Sequence, residues 1–590
     1  MAEILSTSYI NSLVSSYETQ QREKVVAPLQ TRKSAYEKRS SSYTTLSSKL
    51  GSLKTLLTNL KLTDSDSVFR TKSTTTSNAS FVTSTATSAA SKSSYSIFVN
   101  QLAKSDLAVS QELLSSTANA ITGTHSFRIK TGDGSGGEYI SDVEVTFGES
   151  ETNQTMMEKI RDAVNSDKAV VTSGAKTAAS SYADGTSTFK ININGTETEL
   201  TINGGGTYEE LIDEMILTIG GNVSGVIAEK VVDSPNPGDV RLKLTVENSK
   251  DYISISHVSG FDLTTDLGIG VTNEKGASGI VSASAFTPES GYSQFSLTSK
   301  NTGLDFRITS LSDTSGSALS ALGLNLGSSR QAFVQSAGAD TPGFVFSDIS
   351  STNNQLNSRI KFNSIDIQKN SNNVDDLVSG ITFNLHSVMQ STDNNVNIGV
   401  DVNTADVKGK VEDFVKKFND IYQYIRNNST SISGTRGVFM GDSSASSILS
   451  SLQSVAYSQV SGLPTNAVSF LSQIGISFDY QSGLKVSDST LLESKITDNL
   501  DQVEAMFNST SGIANTLFNK IEPYLGSSGY LTSAQTSNNS SASYLSDRIK
   551  SAETRITKSS SILRTKYQKM QLQLAKLLSN QSYFSTDSSY

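Results

Sequence analysis

The sequence predicts a multidomain α+β protein, with terminal coiled-coil-like helices flanking antiparallel, β-rich α+β domains. Three observations carry that expectation. A heptad run of apolar residues stands at each end of the 590-residue chain, strand-like alternation runs through its middle, and a strand–strand–helix order recurs there. A chain of this length has room for three or four domains of roughly 150 residues.

The first helix is read from "YTTLSSKLGSLKTLLTNL", where Tyr43, Leu46, Leu50, Leu53, Leu57 and Leu60 follow one another in steps of three and four. That spacing makes a seam on one side of a helix. Val25, Leu29 and Tyr36 extend the seam toward the N-terminus, with Arg32 and Arg39 interrupting it, and Pro28 is placed in the helix's first turn, where its missing N–H costs nothing. A second seam closes the chain through Leu545, Ile549, Ala552, Ile556, Leu563, Tyr567, Met570, Leu574, Leu577 and Phe584. An isolated amphipathic helix buries only part of such a seam. Both ends are therefore expected to fray alone and to order against a partner: the opposite terminus, another subunit or a filament.

Between the seams the period falls to two. "SYSIFVNQLA" alternates like a strand, and "SFRIKTGDGSGGEYISDVEVTF" reads as a hairpin followed by the helix pattern "TNQTMMEKIRDAVN". The same order returns at 188–219, where Phe189 and Ile191 echo Phe127 and Ile129 at an offset of 62. A weaker echo links "RLKLTVENSKDYISIS" with "QFSLTSKNTGLDFRIT". Both suggest compact α+β units repeated within the middle of the chain. "RIKFNSIDIQ", "ITFNLHSVMQ" and "NVNIGVDV" continue the strands up to Val402. Thr404 is placed as the N-cap of a helix whose face holds Val407, Val411, Phe414, Val415, Phe418, Ile421, Tyr422 and Ile425. Helices at "ASSILSSLQSVAY" and "DNLDQVEAMFN" enclose a hairpin at "IGISFDYQSGLKV".

Composition narrows the function. Charged residues make up 18% of the chain, against a usual ~25%. There is no Cys, so disulfide and thiolate chemistry are excluded. The histidines, His125, His257 and His386, stand far apart, with no metal-ligand spacing. Glycine-rich "GDGSGG" does not open a helix and reads as a hairpin loop. The adjacent pairs Glu209–Glu210 and Asp375–Asp376 cannot converge on one point from a helix or strand. No catalytic, cofactor-binding or metal site is expected, and the chain is not read as an enzyme. The opening residues lack a basic start followed by an apolar run, so no cleaved signal peptide is expected, and no apolar stretch is long enough to span a membrane. Net charge is −9, which argues against nucleic acid as a partner. Both ends are basic, at +5 for residues 1–62 and +5 for 545–590, around an acidic body. Like charge on the two helices means that seams, not mutual salt bridges, must join them.

Several stretches resemble the bacterial flagellar cap (FliD) family, also called flagellar hook-associated protein 2. "YINSLVSSYETQQREKVVAPLQTRKSAYEKRSSSYTTLSSKLGSLKTLLTNL" is similar to the family's opening, a short helix, a Pro-Leu and a long Leu-rich helix. "SYSIFVNQLAKSD", "DVNTADVKGKVEDFVKKFNDIYQYI" (with Phe418 where the family has a tyrosine) and "LSQIGISFDYQSGLKVSDSTLLESKITDNLDQVEAMFNSTSGIA" follow in the family's order. The resemblance implies a structural protein that is exported to the filament tip without signal cleavage. There it forms a pentamer-like ring and orders flagellin assembly while preventing leakage. It implies self, flagellin, the hook–filament junction protein and an export chaperone as partners. The domain plan it suggests is an N-terminal leg at 1–68, a leg-proximal α+β domain from 69–119 and 351–540, outer plate domains at 120–350, and a C-terminal leg at 541–590. Its assembly seam would be Leu29, Tyr36, Tyr43, Leu46, Leu50, Leu53, Leu57, Leu60, Ile549, Ile556, Leu563, Tyr567, Met570, Leu574 and Leu577. A flagellin-like or hook-junction subunit, or an extracellular adhesin, are the alternatives.

A peptide of residues 1–65 alone is expected to show little helix by circular dichroism, because nothing covers its seam; a stable helix in that peptide overturns the argument.

Overall fold

A computed structural model of the chain describes residues 6–183, 185–232, 236–248, 251–269, 274–336, 340–431 and 436–586. Its main helices, in order, are α1 (Thr7–Gln21), α2 (Ala27–Leu60), α3 (Asn153–Ser166), α4 (Tyr208–Asn222), α5 (Thr404–Ser429), α6 (Ser443–Tyr457), α7 (Ser489–Asp498), α8 (Leu500–Asn508), α9 (Ile513–Ile521) and α10 (Tyr530–Thr586). The chain divides into two compact units. A helical unit takes the chain up to Ser73, Thr87–Ala89 and everything from Asp401; a β-rich unit takes Thr74–Ala86 and Ala90–Val400.

In the helical unit the leucine row of α2 is the centre of the core. Leu46, Leu50, Leu53, Leu57 and Leu60 are completely buried, packed with the apolar face of α5 and with Ile448 and Leu452 of α6, Phe507 of α8 and Leu517 of α9. The face expected for α5 is the face it buries, from Val407 to Ile425. Its N-cap is Asn403, not Thr404: the Asn403 side chain accepts the Asp406 N–H at 3.0 Å. The short hairpin Ile476–Asp479/Gly483–Val486 forms as expected.

The expected leg-proximal domain is split at this point. Helices α5 to α9 bury their faces on the leucine row and so share one core with the terminal helices. The strands before Asp401 have a core of their own. That second core lies between a five-stranded sheet, in the order Lys72–Thr76, Val396–Val402, Ser93–Gln101, Ser358–Phe362, Ile365–Lys369, and a three-stranded sheet, Val82–Ala86, Ile381–Leu385, Asn373–Val378.

The rest of the β-rich unit holds two modules of one design. The first has the hairpin Gly123–Gly132/Glu138–Phe147, then α3, the pair Val281–Phe286/Tyr292–Thr302, and Ile308–Ser315, which returns to pair with Gly123–Gly132. The second repeats that order: Ser187–Ile193/Thr196–Ile202, α4, Val226–Val232/Asp239–Val246, and Tyr252–Gly260 returning to Ser187–Ile193. Each has its own core, and the echoing residues sit at equivalent depth, with Phe127, Ile129, Phe189 and Ile191 fully buried. The second module is inserted in the first, between α3 and Val281. The chain enters and leaves it side by side. Asp167 Oδ2 accepts the Ala277 N–H at 2.6 Å and the Ser141 hydroxyl at 2.7 Å, and a Cβ on Gly276 would lie 2.6 Å from the Asp167 carbonyl oxygen. Only glycine permits so close an approach.

Replacing Leu50 with Ala is expected to cost about 2–5 kcal/mol, because a fully enclosed site cannot collapse onto the missing methyl groups. Chemical denaturation followed by circular dichroism measures it; a cost under about 1 kcal/mol contradicts a central position for the α2 row.

Candidate assembly surface on the terminal helices

Beyond the core, α1 and α2 run along α10. At 1.5 Å per residue the 57 residues of α10 extend about 85 Å. The two directions are tied by polar contacts: Gln535 Nε2 donates to Thr44 Oγ1 at 2.7 Å, and the Ser40 hydroxyl to Asn539 Oδ1 at 2.6 Å. Farther out, Arg22 Nε donates to both carboxylate oxygens of Glu553, at 3.0 and 3.3 Å. The opposite terminus is therefore a partner of the N-terminal seam within one chain.

The inner end of this arm is anchored by a charged node that seam reasoning did not anticipate. Asp442, 4% exposed, caps α6 by accepting the Ala445 N–H at 2.9 Å. It also accepts Arg39 Nη2 at 2.7 Å and the Tyr43 hydroxyl. Arg39 interrupts the sequence seam because it turns to this carboxylate. Burial works against the Asp442 charge, but hydrogen bonds from Tyr43, the Ala445 N–H and Arg39 together hold its carboxyl below the ordinary value. Burial and the Asp442 carboxylate push the Tyr43 phenol up. The sequence signal for this node was Asp442 itself, a capping-type residue three positions before the helix pattern that opens at Ala445.

The seam residues separate into two groups. Tyr43, Leu46, Leu50, Leu53, Leu57 and Leu60 are buried inside one chain, which removes them from any surface a second copy could touch. Ile556 is buried too, with Val26 and Ala552 in a small cluster apart from the main core. Leu29, Ile549, Leu563 and Tyr567 are half-buried, and Tyr36 and Leu574 are exposed. Met570 and Leu577 are open to solvent, at 55% and 65%. Phe584 lies outside the side chains that the structure describes. Two residues outside the expected seam, Ile10 and Val14, are buried on α1. Tyr9, Ile10 and Leu13 with Tyr567, Met570 and Leu574 line an apolar groove of about 300 Å³ between α1 and α10. Exposed Tyr36 and Tyr544, between Arg32 and Arg548, line a second. The phase assigned to Val25 is corrected: Val25 is exposed and Val26 is buried. Steps of four and three back from Leu29 reach Val25 and Val26, and it is Val26 that packs with Ala552 and Ile556; a five-residue π turn, Arg22–Val26, joins α1 to α2 and shifts the inward face of the residues before it. Pro28 stands in the first turn of α2, as expected, and the π turn and α1 carry the helical path on N-terminal to it.

Charge follows the two units. The helical unit holds 28 Lys/Arg and 22 Asp/Glu, the β-rich unit 20 and 35. Among the described residues no group of three or more His, Cys, Asp or Glu is placed to hold a metal ion, and no helix is long and apolar enough to cross a membrane.

Fold and surface define a multidomain α+β protein whose two ends combine into one helical unit, around β-rich modules of repeated design. Two family models match the chain, the flagellar hook-associated protein 2 N-terminus over residues 6–106 and the flagellar hook-associated protein 2 C-terminus over 356–579. The chain belongs to the flagellar hook-associated protein 2 family. It is 25% identical to the A-type flagellar hook-associated protein 2 of Pseudomonas aeruginosa over 185 residues, 30% of this chain and 37% of that one. It is 28% identical to the flagellar hook-associated protein 2 of Aeromonas caviae over 199 residues, 32% of this chain and 42% of that one. The matched stretch thus spans less than half the length of either relative. A crystal structure of the flagellar cap protein FliD D1-D2-D3 domains from Escherichia coli is similar over 84% of this chain and 99% of that one, at 19% identity and a TM-score of 0.47.

Asp442 makes stability depend on pH. Its folded value lies below the unfolded one, so its contribution is complete above the ordinary Asp range, about pH 4, and is lost as pH falls through the lower folded value. Asp442→Asn is expected to cost about 1–3 kcal/mol at pH 7 and progressively less toward pH 2. Urea melts at the two pH values measure it; an equal cost at both contradicts the charged node.

Proposed function

We propose that this chain is the structural cap at the distal end of a bacterial flagellar filament. On this reading it is a ring-forming homo-oligomer, pentamer-like in the family, that holds exported flagellin at the growing tip, orders its addition and prevents its loss. Its partners are further copies of itself, flagellin and the hook–filament junction protein, with an export chaperone before assembly. It reaches the tip through the export channel without cleavage of a signal peptide.

One observation carries the reading. The N- and C-terminal models of the family fall in order on the two ends of the chain, which fold together as the helical unit. The arm adds physical support. Met570, Leu572 and Leu577 are bulky, apolar and exposed on a helix rich in Lys and Arg. Such a surface suits docking better than solvent. The leucines at the base of the arm are already used in folding, so docking falls to its outer part.

Electron microscopy of the purified full-length chain tests the proposal. Closed rings or stacked plates are expected, together with restored filament growth when the chain is supplied to cells that lack their cap. Long helical filaments of the purified chain would instead favour a flagellin-like or junction subunit.

A further inference from the structure

The π turn between α1 and α2 has a cause in the sequence and an effect on which face of α1 is covered. Pro28 has no N–H, and in an unbroken α-helix its ring would press on the carbonyl four residues back, at Lys24. Widening the preceding turn relieves that contact. The Ala27 N–H reaches back five residues to the Arg22 carbonyl, while the cap residues Gln21, Val26 and Ala27 keep right-handed helical angles. The helical path therefore continues through the turn with its phase reset.

The reset decides what packs on α10. C-terminal to the turn the inward positions are Val26, half-buried Leu29 and Lys33, in steps of three and four. Counting back from Val26 in the same steps through an unbroken α-helix reaches Arg22, Thr19, Ser15, Ser12 and Ser8, a polar row. The extra residue brings Ile10 and Val14 to the seam in their place. Among the described contacts, those two side chains, the Val26–Ala552–Ile556 cluster and the exposed Arg22–Glu553 pair hold the outer arm.

We propose that Pro28 acts through the Arg22–Val26 turn as a register lock: with the π turn α1 buries Ile10 and Val14 on α10, whereas an α turn would rotate α1 by about one residue, ~100°, turning that apolar pair outward and laying its serine row on α10. Arg22 would leave Glu553 in the same rotation. Pro28 is thus a positioning residue for the apolar face of α1, whose partner is α10 of the same chain.

The chain has no native cysteine, so single introduced thiols report the phase directly in the full-length protein. Val14→Cys and Ser15→Cys are each made in an Ile10→Ser background, with Pro28 or with Pro28→Ala, and their alkylation rates are compared. With Pro28, the thiol at 14 is expected to react at least tenfold more slowly than the thiol at 15. With Pro28→Ala the order is expected to invert, and deleting Glu23 from the Pro28→Ala chain to restore it. The proposal is overturned if the order is the same with and without Pro28. Unprotected rates at both thiols, which mean a detached arm, overturn it equally, as does a Glu23 deletion that fails to restore the order.

Discussion

Everything in the helical unit leans on the burial of one row of leucines, from Leu46 to Leu60 on α2. The row is sealed on one side by α5 to α9 and on the other by the start of α10, so residues more than 300 positions apart share a single core. A contact of such sequence separation forms only after long stretches of chain have been brought together, which sets a large entropic cost against it. The β-rich unit lies between the two halves in sequence and supplies its own cores. The leucine row, with the polar ties along the arm, thus joins the chain's ends without contributions from those cores.

Much of this was legible in the sequence, for a physical reason: periodicity reports the face that an element buries. The heptad steps of α2, the broad stripe of α5 and the alternation of the strands all return as buried faces. What periodicity does not report is the identity of the covering surface. Tyr43 to Leu60 had the spacing of a coiled-coil seam, but five helices, α5 to α9, cover it together with the start of α10. A helix face of that width accepts either neighbour, and the choice lies in residues hundreds of positions away. The division of the chain at Asp401 was hidden in the same way, since strands and helices on either side of it are equally amphipathic.

The outer arm was legible in kind but not in phase. Counting by three and four assumes 3.6 residues per turn throughout, and a single wide turn breaks that count. Pro28 was visible from the start, yet proline suits both a helix's first turn and a widened turn before it. Only the carbonyl it would strike four residues back distinguishes the two. Arg39 and Asp442 show the complementary failure. A charged residue in an apolar seam reads as an interruption until its partner, about 400 positions later, comes into view.

The nesting of one module inside another has an evolutionary reach. Entry and exit of the inserted module lie within hydrogen-bonding distance, at Asp167 and Ala277. A few residues could bridge that gap and close the host module without it. Descendants of this architecture are thereby free to lose, enlarge or exchange the inner module while the host sheet stays intact, and gene rearrangement can rewrite the surface of that module independently of the helices at the chain's two ends.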